Sequence, residues 1–211
     1  MLWEEVFHHF YPQETPLRAL LLRHSEQVRD KALALLAAPQ CPPFAIGRDT
    51  VVNGAMLHDI GISQCHAPSI LCTGNRSYIE HGVIGGAMLR SYDTALEPYA
   101  RICERHTGAG LTAEDIIAGG LPLPRRDFLP ESDAEKLICL ADKFFSKSGD
   151  MQEKPIERVI DGIRRFGVPA LQRFTALCRM FGVSLPPEEC PPRKEEVAPG
   201  AAAAPAAGGG N

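Results

Sequence analysis

Six residues of this 211-residue chain have the types and spacing to do chemistry: His24, the adjacent His58 and Asp59, His81, His106 and Asp142. His24 has Leu20 and Leu21 behind it and Val28 ahead, at the spacings that share one helix face. By the same criterion His81 faces the side of Ile84 and Gly85, His106 that of Ile102 and Cys103, and Asp142 that of Ile138, Cys139 and Phe145. His58 and Asp59 end an apolar run in "MLHDIGI" (56–62) and flank its buried face. Taken singly, each such histidine is a hydrogen-bonded core residue, and each such aspartate a cap or an ion-pair partner. Taken together, four neutral imidazoles and two carboxylates can satisfy one another around divalent cations, as in the metal sites of helix bundles. Spacing alone leaves both readings open.

The elements that must position these groups read as helices almost throughout. "LRALLLRHSEQVRDKALALL" (17–36) repeats its apolar residues at threes and fours, and one or two helices occupy the segment before Pro39. Further helices are predicted over 48–59, stopped by Gly61, and over 75–92, 94–108, 133–147, 155–167 and 169–182. A short helix starts at Thr112, whose "TAED" places a cap before two acids, and Ser132 or Asp133 caps the helix that carries Asp142. "GGLPLPRRDFLPES" (119–132) is a surface loop. No window alternates with period two for long enough to form a sheet, so the fold class is all-α, a helical bundle.

One domain of ordinary size is expected over residues 1–185. From Pro186 the chain turns to Pro, Ala, Gly and Glu, and the tail 186–211 is expected to be disordered because it cannot bury enough apolar surface to order itself. The formal charge of −4 supplies no global basic field, so neither nucleic acid nor a membrane surface is an expected partner. No apolar run approaches the roughly 20 residues of a membrane span, and the acidic start "MLWEEVFHHFYPQE" is unlike a secretory signal, which points to the cytoplasm. The seven cysteines form no CxxC pair and read as reduced, mostly buried thiols.

The order of His24, "HDIG" (58–61), "EHG" (80–82), "RHTG" (105–108) and "ADK" (141–143) resembles the HDIG type of the metal-dependent HD-domain phosphohydrolase superfamily, over residues 18–148. Within it, "YIEHGVIGGAMLR", "CERHTGAGLT" and "PESDAEKLICLADKFFSK" resemble a group of small prokaryotic HD proteins. The "RHTG" and "ADK" segments are more distantly similar to the symmetrical diadenosine tetraphosphate hydrolases of that fold. The resemblance implies an α-helical bundle. It also implies that His24, His58, Asp59 and Asp142 bind one metal and His81 and His106 a second, with Asp59 bridging. Many relatives place a cation directly after HDIG, whereas this chain has Ile62. Lys143, beside Asp142, is the preferred replacement for gripping phosphate, ahead of Lys147, Arg76, Arg105, Arg125 and Arg126.

On this reading the cofactors are divalent ions, two of them, drawn from Mn, Fe, Co, Ni or Mg. Asp59 and Lys143 are the catalytic residues. A metal-bound hydroxide, its pKa lowered toward ~7, would attack the phosphorus of a small phosphorylated, nucleotide-like substrate, hydrolysing an ester or anhydride. The partners are that substrate and, as an open option, further copies of the chain. Two alternatives are a di-iron oxygenase on the same fold and a regulatory nucleotide-binding module without turnover. His66 reads as an exposed loop residue, His8 and His9 as structural, and 61–76 and 119–131 as the segments able to cover the site.

Overall fold

The computed structural model describes residues 2–187 and is all-α. Nine helices are present among the described residues: α1 (Leu2–Phe10), α2 (Pro16–Ala37), α3 (Arg48–Leu57), α4 (His81–Tyr92), α5 (Glu97–Arg105), α6 (Ala113–Ala118), α7 (Asp133–Asp142), α8 (Ile156–Arg164) and α9 (Val168–Met180). Nearly all of the expected tail lies outside the described residues. The helix starts are set by local chemistry. Thr15 accepts from the Arg18 amide ahead of Pro16, and Thr112 and Ser132 each form a reciprocal capping box, with Asp115 and Glu135 respectively.

The largest departure from the sequence expectation lies between α3 and α4. Helix α3 stops at Leu57, and the chain continues through a 3₁₀ turn over Ile60–Gln64. A small antiparallel hairpin follows, β1 (His66–Ala67) with β2 (Cys72–Thr73), paired His66 to Thr73 and Ala67 to Cys72. After another 3₁₀ turn over Pro68–Ile70 between the strands, a third over Tyr78–Glu80, boxed by Ser77 and Glu80, leads into α4. Strands of two residues are too short to show an alternating pattern, which is why the hairpin leaves no periodic signal. The helix expected over 133–147 likewise ends at Asp142, so Lys143 and Lys147 lie beyond its last regular turn.

Two apolar clusters hold the bundle. One joins α2, α3, α5, α7, α8 and α9 around Val28, Ile138, Phe174 and Phe181. The other joins α1, α2, α4 and α5 to the 3₁₀ turn after α3, around Phe7, Leu57, Ile60 and Leu89. Close backbone approach ties the second cluster together. A methyl at Gly61 would strike the His81 carbonyl and the Gly85 amide, and one at Gly82 the Cys103 carbonyl. Glycine at these two positions brings the turn after His58 against α4, and α4 against α5, so that Asp59, His81 and His106 meet.

Candidate functional site

The six side chains named from the sequence converge, and all six are buried. They come from five helices or helix ends: α2 supplies His24, the end of α3 His58 and Asp59, α4 His81, the end of α5 His106, and α7 Asp142. His24 Nε2 lies 3.0 Å from Asp142 Oδ1 and 3.2 Å from Asp59 Oδ2. His58 Nε2 lies 3.0 Å from Asp59 Oδ2 and 3.6 Å from Asp142 Oδ1. On the opposite side of Asp59, its Oδ1 is 3.3 Å from His81 Nε2 and 3.4 Å from His106 Nε2. Two donor groups result, His24, His58, Asp59 and Asp142 in one and Asp59, His81 and His106 in the other, each compact enough to hold a metal ion.

Three of the imidazoles are oriented by a backbone carbonyl. Nδ1 of His58, His81 and His106 lies 2.7, 2.6 and 2.8 Å from the carbonyls of Ala55, Tyr78 and Cys103. A carbonyl only accepts, so each Nδ1 carries a proton and donates it, and on the uncharged rings of His81 and His106 Nε2 turns a lone pair toward Asp59. The Nε2 atoms of His81 and His106 face each other at 3.0 Å. Both carboxylate oxygens of Asp59 and Nε2 of His58 are buried and lack an aligned hydrogen bond, although the distances between them are short. Such a set of facing lone pairs costs energy unless a positive charge lies among them.

Burial pushes the His81 imidazole down to about 3 and lowers that of His106 as well, so neither ring charges near neutrality. Burial also disfavours charge on His58, but Asp59 and Asp142 outweigh it and lift the ring to about 9. Asp59 is held well below the usual carboxylate range, because His58 and Lys147 overcome the effect of its burial. Asp142 is lowered in the same way, burial being outweighed by Lys143 and by the hydrogen bonds to His24 and His58.

The two lysines approach the cluster at different carboxylates. Lys143 Nζ is 2.6 Å from Asp142 Oδ2 and donates to the His106 carbonyl at 2.9 Å, so it braces the cluster from one side. Lys147 is the cation that reaches the centre, with Nζ 2.5 Å from Asp59 Oδ2 and beneath the Tyr78 ring. Tyr78 itself stacks on His81 at 4.7 Å and 17°. Sequence spacing undervalued Lys147 because it lies five residues past the end of α7, where helical periodicity no longer sets direction. The other candidate cations are committed elsewhere: Arg76 to Glu80, Arg105 to Glu131, and Arg126 to Glu104. Arg125 and His66 are exposed, the latter in β1 rather than in an irregular loop.

Fold and site together define an all-α protein with a buried His/Asp cluster. No family model and no solved structure matches the chain. Three relatives do. An uncharacterised protein of Methanocaldococcus jannaschii is 36% identical over 122 residues, 58% of this chain and 64% of its own length. The tRNA (cytidine(56)-2'-O)-methyltransferase of Picrophilus torridus is 35% identical over 127 residues, 60% of this chain and 32% of its own length. The tRNA (cytidine(56)-2'-O)-methyltransferase of Thermoplasma volcanium is 29% identical over 148 residues, 70% of this chain and 37% of its own length. The chain therefore spans less than two thirds of the first relative and about a third of the two methyltransferases.

These names correct several expectations. They describe methyl transfer to a ribose hydroxyl of tRNA, where the motif resemblance implied an HD-domain phosphohydrolase cleaving a P–O bond. Hydrolysis as the enzyme class, the small phosphorylated substrate, and the oxygenase and regulatory alternatives give way with it. So do a pair of divalent ions as the reaction's cofactor and the exclusion of nucleic acid. The physical reason is that a donor cluster specifies which groups are held, whereas the bond that reacts is chosen by what is bound beside it. Net charge misled in a second way, because it averages over the whole surface and hides local patches.

Proposed function

We propose that this chain works in the 2'-O-methylation of tRNA, as a helical module akin to the segment it matches in the two longer methyltransferases. That match is the observation on which the reading rests. The distribution of charge supports it. Against a formal charge of −4 for the whole chain, residues 154–179 carry six basic groups, Lys154, Arg158, Arg164, Arg165, Arg173 and Arg179, and two acids, Glu157 and Asp161. A local excess of four positive charges is the kind of footprint that a phosphate backbone selects. The methyl donor this reaction implies is S-adenosylmethionine. The substrate's compartment would be the cytoplasm, in keeping with the free thiols of Cys41, Cys65, Cys72, Cys103, Cys139 and Cys178. No described helix is long and apolar enough to cross a membrane.

Within a single domain over 1–185, His24, His58, Asp59, His81, His106 and Asp142 are proposed as ligand residues for a metal cation, with Asp59 shared between the two groups. The facing Nε2 lone pairs of His81 and His106, on rings that burial keeps uncharged, support that role. Asp59 and Lys143 are proposed as the residues on which activity depends. The test is mass spectrometry of nuclease-digested tRNA from cells with and without the gene. The reading expects 2'-O-methylcytidine to fall when the chain is absent and to return when it is supplied. An unchanged level in the deletion strain overturns it.

A further inference from the structure

A cavity of about 430 Å³ has a lining that includes Ile79, Thr107, Leu111, Arg165, Phe166 and Arg173. Thr107 directly follows His106, and Ile79 stands two residues before His81, so the cavity wall and the ligand histidines share the same backbone. Most of the lining is apolar, yet its rim holds Phe166 with 69% of its surface in solvent. The turn after α8 fixes the backbone that carries this ring, with the Phe166 amide donating to the Ile163 carbonyl at 2.9 Å and Gly167 adopting φ +90°. An aromatic so exposed adds little to folding, and what it offers is a flat stacking face.

Arg165 joins this cavity to a second, polar basin of about 830 Å³, which it lines together with Ser148, Lys154 and Arg158. Of the acids around that basin, Glu153 pairs with Lys31 and Asp161 with Arg164, each at 2.6 Å, and the Asp150 carboxylate accepts from the Gln152 amide at 3.0 Å. Arg173 is likewise occupied by Asp115 at 2.6 Å. Arg158 and Arg165 are exposed, and neither has an ion-pair partner among the described residues. An apolar slot with an aromatic rim, next to a polar basin with two free guanidinium groups, matches one chemistry: a flat heterocycle joined to phosphates.

We propose that this pair of cavities holds an unpaired nucleotide of an RNA strand, its base against Phe166 and its phosphates at Arg165 and Arg158. The proposal rests on the tRNA reading and specifies where on this chain the RNA sits. Base stacking on an aromatic side chain is tolerant of sequence, and a guanidinium pairs with phosphate oxygens through two parallel hydrogen bonds. Both features suit a strand whose target nucleotide is turned out of its stack toward the His81 and His106 side of the cluster.

Fluorescence anisotropy of the full chain with a labelled tRNA transcript and a labelled single-stranded RNA tests it. Phe166→Ala is expected to weaken binding by about tenfold while Phe166→Trp retains it. Arg165→Ala is expected to weaken binding several-fold and to reduce the salt dependence by about one phosphate contact. Leu2→Ala, another exposed apolar residue, should change nothing. Circular dichroism melts establish that each variant is folded. RNA binding that Phe166→Ala and Arg165→Ala leave intact overturns the cavity assignment without touching the methylation reading. Absence of RNA binding, or Phe166-dependent binding of free cytidine monophosphate alone, overturns it as well. Phe166-dependent RNA binding by a chain whose deletion leaves tRNA methylation unchanged upholds the cavity and overturns the methylation reading.

Discussion

Asp59 is the residue on which the others depend. Its two oxygens face Nε2 of His24 and His58 on one side and Nε2 of His81 and His106 on the other, with Lys147 approaching Oδ2. All five of these contacts are made inside the protein, where a charge without its counterpart is costly. Asp59→Ala removes the carboxylate and strands the buried Lys147 ammonium, so urea unfolding should show a loss of about 3–5 kcal/mol, the scale for breaking a buried pair. Asp142 and the four histidines were legible because each sits three or four residues from apolar neighbours on its own helix. Tyr78 was not legible as a site residue, and Lys147 was legible only as a cation ranked behind Lys143. One stands in a 3₁₀ turn and the other past the end of α7, so no regular face aims them. The reaction was the least legible of all, since ligand type constrains what is held far more tightly than which bond is made or broken.

At the scale of elements, the caps were readable and the connections were not. Thr112 and Ser132 announce α6 and α7 through capping boxes, and the structure adds a third box at Ser77 and Glu80. The turn that presents His58 and Asp59 depends on tertiary approach, which leaves only a glycine as its trace. Gly61→Ala should therefore lower stability by about 1–3 kcal/mol, because its methyl meets the backbone of α4. Gly162→Ala, in the interior of α8 with open space around it, should instead raise stability by about 0.5–1 kcal/mol. Thermal melts of the two variants should move in opposite directions. A fall in both would mean that α8 does not tolerate a methyl at Gly162.

Over the whole molecule, the buried titrating groups shape stability against pH. The folded value of His81 lies near 3, far below the roughly 6.5 of an unfolded histidine, so in this range the unfolded chain binds the extra proton. Stability should accordingly rise with pH from about 3 to about 6.5. The depressed carboxylates of Asp59 and Asp142 act in the same sense at lower pH, their contribution being lost as pH falls through their folded values. His58 works the other way. Its folded value near 9 means a contribution fully present below about 6.5 and lost as pH rises to about 9. Denaturant midpoints measured in chelator should thus peak near pH 6.5. A plateau continuing unbroken to pH 9 would show that His58 is not charged in the folded chain. The same separation of local from global charge applies to partners, because the net −4 coexists with the basic segment of α8 and α9.

The central claim is that the buried cluster serves methylation of tRNA, and replacing the gene with its Asp59→Ala form tests it most directly. Quantitative mass spectrometry of nuclease-digested tRNA should then show 2'-O-methylcytidine reduced to the level of the deletion strain, in cells where raised expression restores the destabilised variant to the normal amount of folded protein. Full methylation in cells that hold only the Asp59→Ala chain would contradict the account.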